Sequence, residues 1–263
     1  YDWALCEGPP GEIARRIPRE RRIIFILENP TIWKPDSEMY DHFGIVISPF
    51  NLDFPTHVRW IEHHPAVPWF YGLNFRTDTG LSHHQLIRNS LCLEKLFQRK
   101  EPEKTKILSI IASSKGNTPG HRWRVSVIEA LQSYFGNNID IYGFGHRPIE
   151  LKDEAIDSYK FSIAIENMHS DYYMTEKPCD VALGWTTPIY SGAKYANKYY
   201  DYPIPQINYG IDPHDFCKQV SSIIDNYHET YNILAHRKDE ILFKLNMLSI
   251  VSNIINYGTA TSN

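Results

Sequence analysis

No apolar run in these 263 residues approaches the ~20 that a helix needs to cross a bilayer. The longest, such as residues 23–27, are short, and no membrane-spanning segment is expected. An excess of positive charge is also missing. The chain has 27 Lys and Arg against 31 Asp and Glu, a net charge of −4, which argues against a globally basic nucleic-acid binder. The one arginine-rich stretch, from Arg15 to Arg22, is interrupted by Pro18 and reads as a solvated loop. Cysteine is scarce: Cys6, Cys92, Cys179 and Cys217 lie far apart with no CxxC pair. A disulfide scaffold and a structural zinc site are therefore not expected, and a reducing compartment is weakly favoured. Histidine is plentiful, but no HExxH is present, and neighbours such as His63-His64 and His83-His84 do not naturally turn toward one metal ion. The phosphate-binding glycine loops are absent as well. No GxxxxGK[ST] occurs, and Gly143-Phe144-Gly145 is only GxG, so a P-loop NTPase and a nicotinamide dehydrogenase lack support. Low-complexity tracts are missing, and 42% of residues are hydrophobic, enough for a sizeable folded core.

What is present divides near residue 100. The first part is irregular. Residues 1–6, 22–28 and 43–47 read as short strands. Pro49, Pro55, Pro65 and Pro68, interleaved with Trp60, Trp69, Phe70 and Tyr71, read as aromatic-rich loop that either stacks sugar rings or covers the core. If this part is a complete α/β domain, some of its strands lie upstream of residue 1. Residues 98–106 are polar, contain Pro102 and read as a linker. Beyond them the patterns alternate: strands at 106–112, 139–142, 161–166 and 187–190, helices at 122–135, 153–159, 176–185, 212–227 and 230–254. Such alternation predicts βαβ units and a parallel sheet, with ligands at the carboxyl ends of its strands.

Two strand-to-helix loops carry the candidate chemistry. The strand at 161–166 delivers Glu166 and Asn167. A polar loop follows, in which Thr175 is placed to cap a helix opening with Glu176, Lys177 and Pro178. Free N–H groups, the helix dipole and a lysine would together favour an anion. The loop Ser113-Ser114-Lys115-Gly116-Asn117 leads into a helix bearing Arg122 and Arg124. Two cations and a helix end converging suit a diphosphate better than a carboxylate. Arg122 competes with Arg124 for that role, and Lys115 and Glu166 are secondary candidates. His57 and His121 are cleft candidates, though a solvated or core histidine is the simpler account.

The run Glu166-Asn167, then Tyr173 and Thr175-Glu176-Lys177, resembles the signature of glycosyltransferase family 10, the α-1,3/4-fucosyltransferases, in a bacterial-type member. Tyr159-Lys160-Phe161 before it, Pro188-Ile189-Tyr190-Ser191-Gly192 after it, and Arg124 seven residues ahead of Leu131 extend the likeness over about residues 105–195. Phe25-Ile26-Leu27-Glu28-Asn29 and Pro68-Trp69-Phe70-Tyr71-Gly72 add weaker likeness upstream. Tyr172 stands where the family often has aspartate, and Pro178 where it has an aliphatic residue.

The resemblance implies the GT-B architecture: two facing Rossmann-like domains with parallel sheets, the first of them incomplete. Residues 1–100 would form the acceptor-binding part and 101–263 the GDP-sugar-binding domain with the C-terminal helices. It implies an inverting single displacement that moves fucose from GDP-fucose to a glycan hydroxyl. Arg124 and Lys177 would hold the diphosphate, Asn167, Tyr173 and Glu176 would contact nucleotide or fucose, and Glu28 would be the general base. No Asp-x-Asp occurs, in line with a reaction that requires no metal; manganese is not implied. Another GDP-sugar, an unusual acceptor or a catalytically silent sugar-binding module are the alternatives. Expected partners are GDP-fucose and a glycan acceptor, with no nucleic acid. A bacterial-type cytoplasmic location is expected, peripheral to a membrane at most, with an anchor upstream of residue 1 left open.

Overall fold

β-Branched runs place the strands of the first sheet. Ile23, Ile24, Ile45, Val46 and Ile47 are all buried, and near-continuous apolar strands are what a parallel sheet covered on both faces requires. The structure is a computed structural model and describes residues 2–73 and 91–258. Its first sheet joins β1 (Ala4–Cys6), β2 (Arg22–Phe25), β3 (Ile45–Ser48) and β4 (Arg59–Glu62) in that order, every pair parallel. The second joins β5 (Lys106–Ile111), β6 (Ile139–Tyr142), β7 (Tyr159–Ile165) and β8 (Thr187–Ser191) in the order β6-β5-β7-β8, again all parallel. The described α-helices are α1 (Glu12–Arg15), α2 (Ser37–Tyr40), α3 (Leu93–Gln98), α4 (Pro119–Phe135), α5 (Lys177–Leu183), α6 (Pro213–Asn226), α7 (Tyr231–Phe243) and α8 (Met247–Tyr257). None is long and apolar enough to cross a membrane.

The expected α/β class, with two parallel sheets, is what the chain forms. In the second sheet side chains alternate between two covered faces. Leu108, Ile110, Phe161, Ile163 and Ile189 pack on α4 and α6 through Val127, Leu131, Phe216 and Val220. Ala164 and Tyr190 face α5 and α7 through Val181, Leu183, Ile241 and Leu242. Each such aliphatic side chain contributes about 1.5–3 kcal/mol on burial. From β5 the chain passes through α4 to β6 on one side, whereas β7 and β8 lie on the other. The strand order therefore reverses between β5 and β7, where open α/β sheets leave a crevice for ligands.

Several expectations need correction. The strand expected at 22–28 ends at Phe25, so Glu28 stands on a loop beyond it. Trp60 lies in a strand, β4, although Arg59–Glu62 shows no buried face that would announce one; the ladder to β3 supplies it. The helix expected at 153–159 is a single 3₁₀ turn, Lys152–Ala155. The long helix expected at 230–254 breaks before Asn246, whose Oδ1 accepts the Ser249 N–H at 2.9 Å and starts α8. Past that break α8 leaves the second sheet and packs Ile250, Val251 and Ile254 on Ile23, Phe25, Ile45 and Ile47 of the first. The chain also crosses earlier. Tyr71 is buried in the cluster formed by α5 and α7, and Tyr199 Oη accepts the His64 N–H at 3.0 Å. The expected linker is pinned as well, with Lys238 Nζ donating to the carbonyls of Phe97 and Arg99 at 2.7 and 3.0 Å.

Candidate active site

A pocket of about 260 Å³ opens at the crevice between β5 and β7. Arg124, Phe144, Lys152, Glu176, Lys177 and Asp180 line it. α4 delivers Arg124: Thr118 Oγ1 caps that helix by accepting the His121 N–H at 3.1 Å. Gly120 lets the helix start come close to the strand end beside it, because a Cβ there would meet the Asn167 carbonyl oxygen at 2.1 Å. α5 delivers Lys177 and Asp180.

Glu166 organises the site. It follows directly on β7, its side chain is fully buried, and a buried carboxylate is tolerated only with compensating partners. Thr175 supplies two. Its N–H donates to Glu166 Oε1 at 2.8 Å and its Oγ1 lies 2.9 and 2.8 Å from the two carboxylate oxygens. Thr175 is therefore not the helix cap expected of it. Glu176 occupies the cap position without a side-chain bond, and the threonine's groups serve Glu166 instead. Lys177 Nζ completes the cluster, 2.7 Å from Glu166 Oε2 and 2.7 Å from Thr175 Oγ1. Gly192 is required here, since a Cβ would meet Glu166 Cγ at 2.4 Å.

The cations are not equivalent. Burial works against the Lys177 ammonium, but Glu166 and Glu176 outweigh it and raise its pKa. Lys152 behaves likewise: burial opposes its charge, and Asp180 and Glu176 more than restore it. Glu176 lies 3.5 Å from Lys152 and 3.9 Å from Lys177; burial alone would favour its neutral form, but those two ammonium groups pull its pKa down. Arg124 stands apart. It is 7% exposed, its Nη2 donates to the Ser113 carbonyl over a long 3.4 Å, and its buried Nε has no partner. Burial lowers its pKa, against the pull of Tyr209 and Glu166. A guanidinium so poorly paired is ready for an anionic ligand. His121 reports the convergence: burial first, then Arg124, Lys115 and Lys177, hold its pKa below the usual value.

Tyr173 and Asn167 lie beside this cluster. Burial, then Glu166, Glu28 and Glu176, push the Tyr173 hydroxyl up, with the Asn167 side chain as its hydrogen-bond partner acting the other way. Asn167 Oδ1 is buried without a partner. Phe50, just beyond β3, meets the Tyr173 ring at 5.4 Å. The carboxyl ends of both sheets therefore meet at Tyr173, and Glu28 comes from the other sheet, exposed on its loop. The structure thus collects Arg124, Glu176 and Lys177 in one pocket, sets Asn167 and Tyr173 at its side, and brings Glu28 within electrostatic reach of Tyr173.

Other candidates fall elsewhere. Arg122 bonds the Gly116 carbonyl at 3.3 Å at the surface. His57 lies 3.3 Å from Asp41. Trp60 Nε1 donates to the Ser48 carbonyl, and Trp69 packs on the core. His63 and His64 are buried against Tyr199; His83 and His84 lie outside the described residues. Among the described residues, Asp201, His236 and Glu240 bring ligand atoms within 4.8 Å of one another, but Lys244 Nζ already bridges Asp201 and Glu240 at 2.8 and 3.1 Å. Sequence reasoning missed Lys152 and Asp180. Asp180 is buried, accepts the N–H groups of Phe70 and Tyr71 at 2.7 and 2.8 Å, and pairs with Lys152. A lone aspartate inside an apolar helix pattern was the available signal.

Residues 101–231 match the family model for glycosyltransferase family 10 (fucosyltransferase), C-terminal part. Among curated proteins, the chain is 28% identical over 204 residues to 4-galactosyl-N-acetylglucosaminide 3-alpha-L-fucosyltransferase FUT5 of Homo sapiens, covering 75% of this chain and 46% of that protein. It is 29% identical over 197 residues to FUT6 of Homo sapiens, covering 72% and 46%. The chain thus spans about half the length of the curated relatives it matches. Among solved structures, an α1,3-fucosyltransferase with GDP-fucose aligns over 94% of this chain and 78% of its own, at 18% identity and a TM-score of 0.45.

Proposed function

Since this chain belongs to glycosyltransferase family 10, the fucosyltransferase family, we propose that it moves fucose from GDP-fucose to a hydroxyl of a glycan acceptor. The observation that carries this reading is the buried, under-partnered Arg124 beside Lys177 in a pocket at the strand-order reversal. As the glycosidic bond breaks, the departing GDP gains negative charge. Arg124 and Lys177 are already oriented to receive it, so no reorganisation is needed at that moment. Lys177 is held in place by Glu166 and Thr175, which makes those two positioning residues. Asn167, Tyr173 and Glu176 contact the nucleotide or the fucose.

Glu28 is the general base. An acceptor hydroxyl is a poor nucleophile at neutral pH, and a positioned carboxylate takes its proton in the transition state. Base and leaving group come from different sheets, an arrangement compatible with the single displacement with inversion that the family resemblance implies. Residues 1–100 bind the acceptor, and the second sheet with its helices binds the donor, while α8 packs on the first sheet. The acceptor is a lactosamine-type glycan and the linkage α-1,3 or α-1,4; the relatives' names support this choice. Charge neutralisation by two side chains leaves no step that demands a metal.

The test is GDP release from GDP-fucose, with and without lactosamine-type acceptors, in EDTA. Acceptor-dependent release is the expected result. Tight GDP binding with no release on any acceptor would overturn the choice of donor or acceptor, and absence of GDP binding would overturn the donor pocket itself.

A further inference from the structure

The turn Gly143-Phe144-Gly145 is built to hold one side chain out from the sheet. Gly143 has φ +110 and Gly145 φ +83, a region that favours glycine. A Cβ on Gly143 would meet the Ala112 carbonyl oxygen at 2.2 Å, and one on Gly145 would meet Ser114 Oγ at 2.0 Å. Both glycines let the turn press against the end of β5. The backbone is then tied from both sides. The Ser114 N–H donates to the Phe144 carbonyl at 2.9 Å, the Gly143 N–H to Arg147 at 2.9 Å and the His146 N–H to Gly143 at 3.0 Å. Yet the Phe144 ring is 71% exposed, at the rim of the pocket that holds Arg124 and Lys177.

An isolated exposed phenylalanine is ordinary. This one differs in three ways. Its backbone is locked, it lines the charged pocket, and Lys115 Nζ stands 5.9 Å from its ring centre. It is also geared to the anion end. The Ser113 carbonyl accepts from Arg124, and the N–H of the next residue, Ser114, donates to the Phe144 carbonyl. Adjacent residues of one loop thus fix the spacing between a phosphate-seeking cation and an aromatic face.

We propose that Phe144 is the stacking platform for the guanine ring of the donor, so that this turn sets how tightly a nucleoside diphosphate is held relative to a bare diphosphate. The proposal rests on the reading of the pocket as the GDP-fucose site. Stacking of one base on an aromatic ring changes affinity by about tenfold or more.

The test is calorimetric titration of GDP and of inorganic pyrophosphate into the wild-type chain and into Phe144→Ala, Phe144→Trp and Lys177→Ala. Phe144→Ala weakens GDP by about tenfold and leaves pyrophosphate unchanged. Phe144→Trp retains GDP affinity, and its added fluorescence is quenched by GDP and not by pyrophosphate. Lys177→Ala weakens both ligands. Unchanged GDP affinity in Phe144→Ala, set against a weakened Lys177→Ala, overturns the role of Phe144 alone. Equal losses of GDP and pyrophosphate in Phe144→Ala also overturn it, since they mark a disturbed loop. Lys177→Ala binding both ligands as the wild type does overturns the diphosphate pocket and this proposal with it.

Discussion

Among the described residues both sheets have four parallel strands, yet the chain arranges charge at their carboxyl ends in opposite ways. Beyond β7, Glu166 is fully buried and surrounded by Thr175 and Lys177, with Arg124, Lys152, Glu176 and Asp180 close by. Beyond β2, Glu28 is exposed, and the buried polar group is its neighbour Asn29, whose Oδ1 is used locally by the Thr31 N–H. The first arrangement meets the cost of gathering charges in advance, which on the proposed reading suits a ligand that brings the same diphosphate at every turnover. The second leaves a carboxylate open to solvent, which on the proposed reading suits a base that takes a proton from an incoming hydroxyl. The family match keeps to the first kind of surface, residues 101–231.

Substitutions break this contrast from either end. The largest effect is expected at the open side. Glu28→Gln keeps the shape and removes the basicity, and turnover falls about 10²–10⁴-fold while GDP affinity stays unchanged; GDP titration beside initial rates checks both. At the charged side, Asp180→Ala removes the nearer of two carboxylate partners of Lys152 and strands the Phe70 and Tyr71 N–H groups. Breaking a buried pair costs about 3–5 kcal/mol, so the urea midpoint drops sharply. An unchanged midpoint would mean that Asp180 does not tie residues 68–72 to α5. Third, Lys177→Ala loses a charge-assisted contact of about 1.5–3 kcal/mol, which calorimetry reads as a 10–100-fold weaker GDP complex. The same loss of affinity in Glu28→Gln would erase the division of labour between the two ends.

The same asymmetry governs how much of each half is legible in the amino-acid sequence. The second half announces itself through period: β5, β7 and β8 are apolar runs, and α4 and α6 carry buried residues at helical spacing. Four of its candidate site residues, Asn167, Tyr173, Glu176 and Lys177, sit within one strand-loop-helix segment and fall together by local spacing alone. Long-range contacts were less legible. β4 exposes both ends of Arg59–Glu62 and exists through its ladder to β3. Asp180 depends on N–H groups more than a hundred residues away. Thr175 reads as a cap because the residue after it starts a helix, and only burial of Glu166 diverts its hydroxyl. The break before α8 follows from an asparagine that is also acceptable inside a helix, and the sheet receiving α8 is the one begun by residue 4.

The smallest effect is expected where the two halves are joined, at His63 and His64. Both rings are buried against Tyr199. Burial pulls the His63 pKa from 6.5 down to about 4, and its backbone bond to His64 offsets only part of that. In the unfolded chain the ring titrates near 6.5. Between these values the unfolded chain takes up a proton that the folded chain refuses, so unfolding becomes easier as protons are added. The stability contribution is complete above about pH 6.5 and is lost as the pH falls toward about 4, on the order of 1–3 kcal/mol. His63→Gln removes the titrating group while leaving His64 to hold Tyr199. Its urea midpoint should therefore fall less steeply than that of the wild type across this window, with both near their plateau at pH 7.5. Parallel slopes would place the acid sensitivity away from the His63 ring.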